Sequence, residues 1–180
     1  MVSRLRSTRT EVRANPAGMK ALFALTALIA AAPLGAETPL PPEAAVTAAV
    51  DAFFTALRSE DRTALAREMD PRGMIYVHDR MNPAAPRIMA IPVADHLARW
   101  ARGTAMVDEV MRYDTVRVDG DMAQVWGPYR FISNGKTSHC GINSMSLVKG
   151  EGGWKVANTS FSMELPERCA ALGAPEEPAR

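Results

Sequence analysis

The segment from Gly120 to Met163 constrains the fold more than any other, because it has the pattern of consecutive β-strands joined by tight turns. Asn134-Gly135 is a strong hairpin signal, since both residues tolerate the positive φ that a type I′ turn requires. The glycines at 150–153 predict a second turn for the same reason. We therefore predict a three-stranded antiparallel meander as the centre of the domain.

The residues before this meander predict three helices interleaved with one short strand. Apolar residues at helical spacing, beginning at Val46, predict the first helix. Gly127-Pro128 inside the meander predicts a bulge or bend. This order is typical of an α+β fold with the helices on one face of a curved sheet and a cavity at its open end. In order, the predicted elements are a helix from residue 43, a short helix over 62–69, a strand over 73–79, a loop over 80–90, a helix over 92–102 and a strand over 107–118.

The first 36 residues have the features of a secretory signal peptide. Basic residues flank an uncharged apolar run that starts at Ala21 and ends in small residues before Glu37. This run is short for a transmembrane span, and an uncleaved membrane anchor is the alternative interpretation. We predict cleavage near Ala36, with Met19 as an alternative start of translation. The predicted organisation is a signal peptide (1–36), a linker (37–42), a domain (43–164) and a C-terminal tail (165–180).

The basic character of the chain lies in this leader. Residues 1–36 carry a net charge of +4, so the net charge of +1 for the whole chain becomes −3 after cleavage. No cluster of basic residues then remains that could follow a phosphate backbone. We therefore expect no nucleic-acid partner, and contact with a membrane only through the leader during export.

The two cysteines of the chain, Cys140 and Cys169, are expected to form a disulfide. In an oxidising compartment such a pair is more often bridged than free. The alternative is a reactive Cys140 beside His139. Neighbouring residues in a strand point to opposite faces, however, so the imidazole does not easily reach the thiol. The leader and the disulfide together predict a periplasmic or secreted protein.

Three stretches of the sequence resemble the nuclear transport factor 2-like (NTF2-like) superfamily. They are AVDAFFTALRSED and ALAREMDP in the predicted helices and GGWKVANTSFSM in the last strand. The resemblance covers residues 42–164 and is greatest to the SnoaL-like (polyketide cyclase-like) and ketosteroid isomerase-like branch. It implies a cone of three N-terminal helices packed on a strongly curved antiparallel sheet. It also implies a cavity that works without a cofactor and a chain that associates as a homodimer.

Nine residues are predicted to line the cavity. Trp100 lies on the apolar stripe of the third helix, and His139 and Asn143 share one face of the second meander strand. Each has a structural alternative, as a core residue or as a polar group that satisfies the backbone. The predicted lining residues are Tyr76, His78, Trp100, Trp126, Tyr129, His139, Asn143, Met145 and Asn158.

The sequence assigns no catalytic residue. The isomerases that the chain resembles use a carboxylate base in an apolar cavity, but no acidic residue lies between Asp121 and Glu151. Asp108, Glu109 and Asp114 lie on the preceding strand, where a mixed pattern leaves their facing open. The three histidines lie on three different elements without the spacing of metal ligands, so no metal site is predicted.

These observations predict an exported protein that binds a small, mostly apolar molecule in its cavity. The first alternative is a cofactor-free isomerase, cyclase or dehydratase acting on a carbonyl-containing molecule. In that case a histidine or a carboxylate of the 108–114 strand is the base, and Tyr76 or His78 polarises the carbonyl. The second alternative is a dimerisation module without a ligand, which associates through the open face of its sheet. The enzyme requires a base within hydrogen-bond reach of a donor inside the cavity, whereas a binding protein requires only shape and an apolar lining.

Overall fold

The architecture is that of a computed structural model, which describes residues 41–176. The predicted signal peptide, most of the linker and the last four residues of the tail lie outside this range. The helices are α1 (Pro42–Arg58), α2 (Leu65–Glu68), α3 (Val93–Trp100) and α4 (Cys169–Leu172), with a 3₁₀ turn at Pro166–Arg168. The strands are β1 (Met74–Asp79), β2 (Arg87–Pro92), β3 (Val107–Met111), β4 (Thr115–Asp119), β5 (Met122–Ser133), β6 (Lys136–Gly150) and β7 (Gly153–Met163).

All seven strands form one curled sheet, in the order β2-β1-β7-β6-β5-β3, with β4 also paired to β5. The predicted α+β class is confirmed. The sheet is mixed rather than antiparallel throughout, because β1 and β7 run parallel. This pair joins the two ends of the domain, since β1 lies early in the chain and β7 is the last strand.

The predicted meander is present as β5, β6 and β7. Asn134 and Gly135 form the first turn with φ values of 48° and 78°, and Gly153 in the second turn has a φ of 92°. These left-handed conformations suit glycine and asparagine. The two turns fix the register of β6, which pairs with β5 on one side and β7 on the other.

Helix α1 covers the concave side of the sheet. It begins at Pro42, whose fixed φ suits the first turn of a helix, and its apolar stripe is buried. The core fills the space between this stripe and the inward side chains of the strands, including the fully buried Val125 and Met145. α2 is shorter than predicted, and the carboxylate of Asp61 accepts a hydrogen bond from the Thr63 amide at 2.9 Å in the turn before it.

Two regions differ from the prediction. Residues 87–90 are predicted in a loop but belong to β2, an edge strand that pairs only with β1 among the described residues. Prolines are tolerated at such an edge because no second neighbour needs their missing amide. The predicted strand over 107–118 is interrupted at 112–114. Met111 pairs with Tyr129 and Thr115 with Trp126, so residues 112–114 lie opposite only Gly127 and Pro128. The irregularity predicted at Gly127-Pro128 therefore lies in the partners of β5 rather than in β5 itself.

A bulge in β7 re-aims the second half of that strand. Ser146 of β6 pairs with Asn158, whereas the next residue, Leu147, pairs with Val156. Ala157 is therefore the extra residue, and the inward-outward alternation reverses at this point. Gly73 packs against the bulge, and no larger residue fits there, because a Cβ on Gly73 would lie 1.6 Å from the carbonyl oxygen of Ala157.

The predicted disulfide between Cys140 and Cys169 is confirmed, with the two Cα atoms 5.5 Å apart. It holds α4 and the preceding turn against β6. Arginine side chains secure the following residues, since Arg112 donates to the Gly173 carbonyl at 2.8 Å and Arg130 to the Pro175 carbonyl at 2.6 Å. The C-terminal tail is thus fixed to the sheet up to residue 175. Within residues 41–176 no helix is long and apolar enough to cross a bilayer.

Removing the disulfide should destabilise the domain, since the bridge closes a sequence separation of 29 residues. We expect reductant to lower the free energy of unfolding by about 3–4 kcal/mol on the chain-entropy model. Urea unfolding with and without reductant measures this difference. A double variant with Cys140→Ser and Cys169→Ser should not respond to reductant, and an equal response in both proteins would contradict the prediction.

Gly73→Ala should destabilise the domain by about 3 kcal/mol or more, because the added methyl group overlaps the Ala157 carbonyl in a place that cannot relax freely. Gly150→Ala is the matched control, since a Cβ at Gly150 has nothing within 4 Å. Thermal unfolding of both variants tests this. Similar melting temperatures for the two would show that the close contact at the bulge is not a constraint.

Candidate functional site

A cavity of about 280 Å³ lies between the helices and the concave face of the sheet. Its wall is mainly apolar and aromatic, with a few polar side chains. The lining residues are Phe53, Leu57, Met69, Ile75, Val77, Met89, Ile91, His96, Trp100, Glu109, Tyr129, Phe131, His139, Asn143, Thr159, Phe161 and Met163. Mainly apolar clefts and cavities with a few placed polar groups are the usual form of small-molecule sites.

The apolar part of the wall follows from strand alternation. Ile75 and Val77 point inward from β1, and Thr159 and Phe161 point inward from β7 after the bulge. Three methionines, Met69, Met89 and Met163, complete the wall from α2's end, β2 and β7. Their flexible thioether chains let a site adapt to the shape of its occupant.

The polar groups gather where β3, β5 and β6 lie side by side. Glu109 of β3 pairs with Phe131 of β5, which in turn pairs with His139 of β6. The Asn143 amide donates a hydrogen bond to the Glu109 carboxyl group at 3.3 Å. Tyr129 lies in the same cluster, and its hydroxyl donates to the Ser162 carbonyl at 2.8 Å. This cluster is the candidate site.

Glu109 is buried in an apolar environment, with 7% of its surface exposed. Burial raises the pKa of its carboxyl group from 4.5 to about 8, and nearby Asp108 acts in the same direction. The hydrogen bond from Asn143 and the charge of Arg58 oppose this rise without reversing it. The group is therefore largely protonated at neutral pH, as expected of a carboxyl group desolvated without a counter-charge.

The histidines of the cavity are neutral at the same pH. Burial lowers the pKa of His139 to about 4, and burial also lowers the pKa of His96. The His139 ring stacks on Phe131 with ring centres 4.8 Å apart, and His96 stacks on Trp100 at 5.7 Å. The cavity therefore carries no net charge at neutral pH.

Two buried polar atoms of the cavity wall have no hydrogen-bond partner within residues 41–176. They are the Nε1 atom of Trp100 and the Oδ1 atom of Asn143. Buried polar atoms in folded proteins nearly always have partners, so unsatisfied atoms in the wall of a cavity mark it as a place where a ligand or water adds interactions.

The structure brings together four of the nine predicted lining residues. Trp100, Tyr129, His139 and Asn143 lie in the cavity wall. Met145 lies in the hydrophobic core, outside the wall. The remaining four residues, Tyr76, His78, Trp126 and Asn158, are not in the wall and lie on the outer face of the sheet.

The outward direction of each of these four residues has a physical reason. Tyr76 and His78 occupy the outward positions of β1, because Ile75 and Val77 take the core side. Trp126 lies three positions from Tyr129 on a continuous strand, and an odd separation places the two on opposite faces. Asn158 faces outward because the bulge at Ala157 reverses the alternation of β7.

The outer face gives the four residues other surroundings. The Nε2 atom of His78 lies 3.0 Å from the Ser160 hydroxyl, and Asn158 donates to the Ser146 hydroxyl at 3.1 Å. Trp126 is about half exposed, at 48%. A role for Tyr76 or His78 in polarising a carbonyl inside the cavity is therefore excluded by position.

Glu109 is the main residue whose place the sequence left open. The fragment VDEVM has no clean alternation, so neither facing is favoured by hydrophobicity. The pairing with β5 decides the direction of Glu109, because Glu109 lies directly opposite Phe131 and Phe131 faces the cavity. Among residues 41–176 no group of three or more histidine, cysteine or acidic side chains is arranged to hold a metal ion.

The stability of the fold should depend on the proton of Glu109. Its pKa is about 8 in the folded state against 4.5 as the ordinary value, so the folded state binds more protons and stability falls as pH rises between these values. The lowered pKa of His139 makes the free energy of unfolding rise with pH instead, but this rise is complete once the pH exceeds the ordinary histidine pKa of 6.5. Relative to Glu109→Gln, the wild type should lose about 2 kcal/mol of unfolding free energy from about pH 6.5 to pH 9.

Urea unfolding of the wild type and of Glu109→Gln across this range measures the loss. Glu151→Gln is a matched control, because Glu151 lies exposed in the β6–β7 turn. A parallel dependence on pH in the wild type and in Glu109→Gln would show that the carboxyl group is already ionised at neutral pH.

Comparison with known proteins gives a consistent picture of the fold. No protein-family model matches the sequence, and no curated protein matches it either. Many solved structures do match. An NTF2-like protein from Cytophaga hutchinsonii has a TM-score of 0.57 at 12% identity, covering 69% of this chain and 99% of that one.

Two further matches are to proteins with different roles. A candidate dehydratase of the NTF2-like family from Streptomyces avermitilis has a TM-score of 0.53 at 19% identity, covering 68% of this chain and 96% of that one. The β subunit of a candidate aromatic-ring-hydroxylating dioxygenase from Novosphingobium aromaticivorans has a TM-score of 0.54 at 12% identity, covering 68% of this chain and 89% of that one. At these identities the likeness concerns the fold alone. The chain has an NTF2-like fold.

Proposed function

We propose that this protein binds a small, mostly apolar molecule in the cavity of its curled sheet. The observation that carries the proposal is the apolar cavity of about 280 Å³, which is partly open to solvent and which the surrounding side chains leave unfilled. Close packing is the rule in protein interiors, so an apolar cavity of this size leaves apolar surface in contact with water unless an occupant covers it. Its volume lies just below the roughly 300–1,000 Å³ of drug-sized ligand sites, which favours a compact occupant.

The same cavity weighs against a pure dimerisation module, since such a protein has no need to leave its core unfilled. A homodimer remains a proposal that is compatible with binding. Export to the periplasm or the medium is proposed from the predicted leader, and the Cys140–Cys169 disulfide supports it, because disulfides persist in oxidising compartments.

A second candidate function is proton-transfer chemistry on a carbonyl-containing molecule, as in a SnoaL-like or ketosteroid isomerase-like enzyme. It is favoured by Glu109, a buried carboxyl group whose pKa of about 8 suits exchange of a proton near neutral pH. Asn143 lies within reach as a hydrogen-bonding group. The solved dehydratase-like relative shares only the fold, so it supports this candidate as an analogy.

Native mass spectrometry of protein purified gently from the expressing cells tests the binding proposal. We expect a retained small molecule in the wild type and its loss in Val77→Phe, because Val77 lines the cavity and the larger ring occupies the ligand's space. His78→Phe adds a ring of the same kind on the outer face and should keep the ligand. Circular dichroism verifies that both variants fold.

The two candidate functions then separate by one experiment. A retained ligand that contains a carbonyl group is incubated with the protein in deuterated water, and exchange next to the carbonyl is followed by NMR. Exchange with the wild type but not with Glu109→Gln supports the enzyme, whereas binding without exchange supports a binding protein.

In the mass spectrometry experiment, if Val77→Phe and the wild type carry the same molecule, binding does not occur in the cavity.

A further inference from the structure

Glu109 lacks a basic partner inside the cavity. In the described residues, 41–176, no lysine or arginine lines the cavity with it. Arg58 lies nearby but donates to the Asp108 carboxylate at 2.8 Å and to the backbone carbonyl of Glu109 at 3.2 Å, not to its carboxyl group. A buried carboxylate that is ionised is normally paired with a cation or a metal. The cavity therefore holds an acid whose ionised form has no counter-charge among the described residues of the wall.

Aromatic rings surround the same space. A ring face carries negative charge density and attracts a cation within about 6 Å of its centre. Asp108 of the same strand acts to raise the pKa of Glu109, and its ion pair with Arg58 partly offsets this effect. The rings of the cavity wall are those of Phe53, Trp100, Tyr129, Phe131 and Phe161.

We propose that the occupant is a compact organic amine in its protonated form, with its ammonium group against Glu109 and its apolar part among the aromatic rings. This inference rests on the proposed function and names the chemical class of the ligand. On binding, the Glu109 proton leaves to solvent and the carboxylate pairs with the ammonium group. The cavity thus has no net charge before or after binding.

The other charged and titratable groups around Glu109 are consistent with a cation. His139 of β6 and His96 of α3 are neutral at physiological pH, because burial lowers the pKa of both. Tyr129 of β5 keeps its phenolic proton, since burial raises its pKa. Arg58 of α1 is engaged by Asp108, as described. An anionic ligand, in contrast, finds no counter-charge among the described residues of the wall.

Binding of an amine should strengthen as the pH rises. Ionisation of Glu109 has to precede or accompany the pairing, so the affinity should increase about tenfold per pH unit below pH 8 and level off above it, for an amine that stays protonated. Calorimetry in two buffers of different ionisation enthalpy should detect release of about one proton per amine bound at neutral pH.

Three probes of one size test the inference by titration calorimetry: benzylamine, benzyl alcohol and benzoate. Asn143 can donate to an amide oxygen as it does to the carboxyl group, so Glu109→Gln should keep the fold while removing the group that ionises on binding. Exposed Glu151→Gln is again the matched control. We expect wild type and Glu151→Gln to bind benzylamine at least about tenfold more tightly than benzyl alcohol, with proton release. Glu109→Gln should lose the preference for benzylamine over benzyl alcohol. None of the three proteins should bind benzoate.

Equal or tighter binding of benzyl alcohol by the wild type would overturn the amine assignment and leave the proposed function intact. Benzylamine binding that is unchanged in Glu109→Gln would overturn it as well, because the carboxyl group would then play no part. Failure of the wild type to bind any of the three probes would contradict both the assignment and the proposed apolar binding site.

Discussion

The ladder of β5, β6 and β7 is the constraint on which the rest of the structure depends. β6 pairs with a neighbour along both of its edges, and its two tight turns set the register with each neighbour, which shifts once along each ladder. A one-residue slip would move every inward side chain to the outer face. The core, the cavity wall and the position of the parallel strand β1 beside β7 all follow from this single register.

Irregularities in the ladder give the site its composition. The bulge at Ala157 turns Thr159 and Phe161 inward, and the register shift next to Phe131 lies where the aromatic cluster forms. Without the bulge, Asn158 and Ser160 would face the cavity in their place and make the wall more polar. An apolar wall is what raises the pKa of Glu109, so the backbone defect and the chemistry of the acid are physically linked.

The sequence was sufficient for features that depend on local rules. Asn134-Gly135 located the hairpin, the stripe from Val46 located α1, and the two cysteines defined the disulfide. The class of the fold followed from the order of these elements. Four cavity residues were also placed in the wall, because His139 and Asn143 share a strand face and Trp100 lies on a helical stripe.

The rest depends on contacts between distant parts of the chain. The parallel pairing of β1 with β7 has no local signal, and neither has the bulge that reverses the facing of Asn158. The facing of Glu109 is decided by its neighbour strand rather than by its own segment. The placement of Trp126 in the wall together with Tyr129 was an avoidable error, because residues three positions apart on a strand point to opposite faces.

The two edges of the sheet have a consequence for the behaviour of this protein at high concentration. Unpaired edge strands invite pairing with strands of other molecules, and long, flat edges are the most hazardous. Within the described residues one edge is β2, six residues long, with Arg87 at its start and Pro92 at its end, and the loop before it contains prolines at positions 83 and 86. The other edge is divided at 112–114 into two strands of five residues each. Both edges are therefore poor templates for intermolecular β-pairing, which protects the folded domain from aggregation.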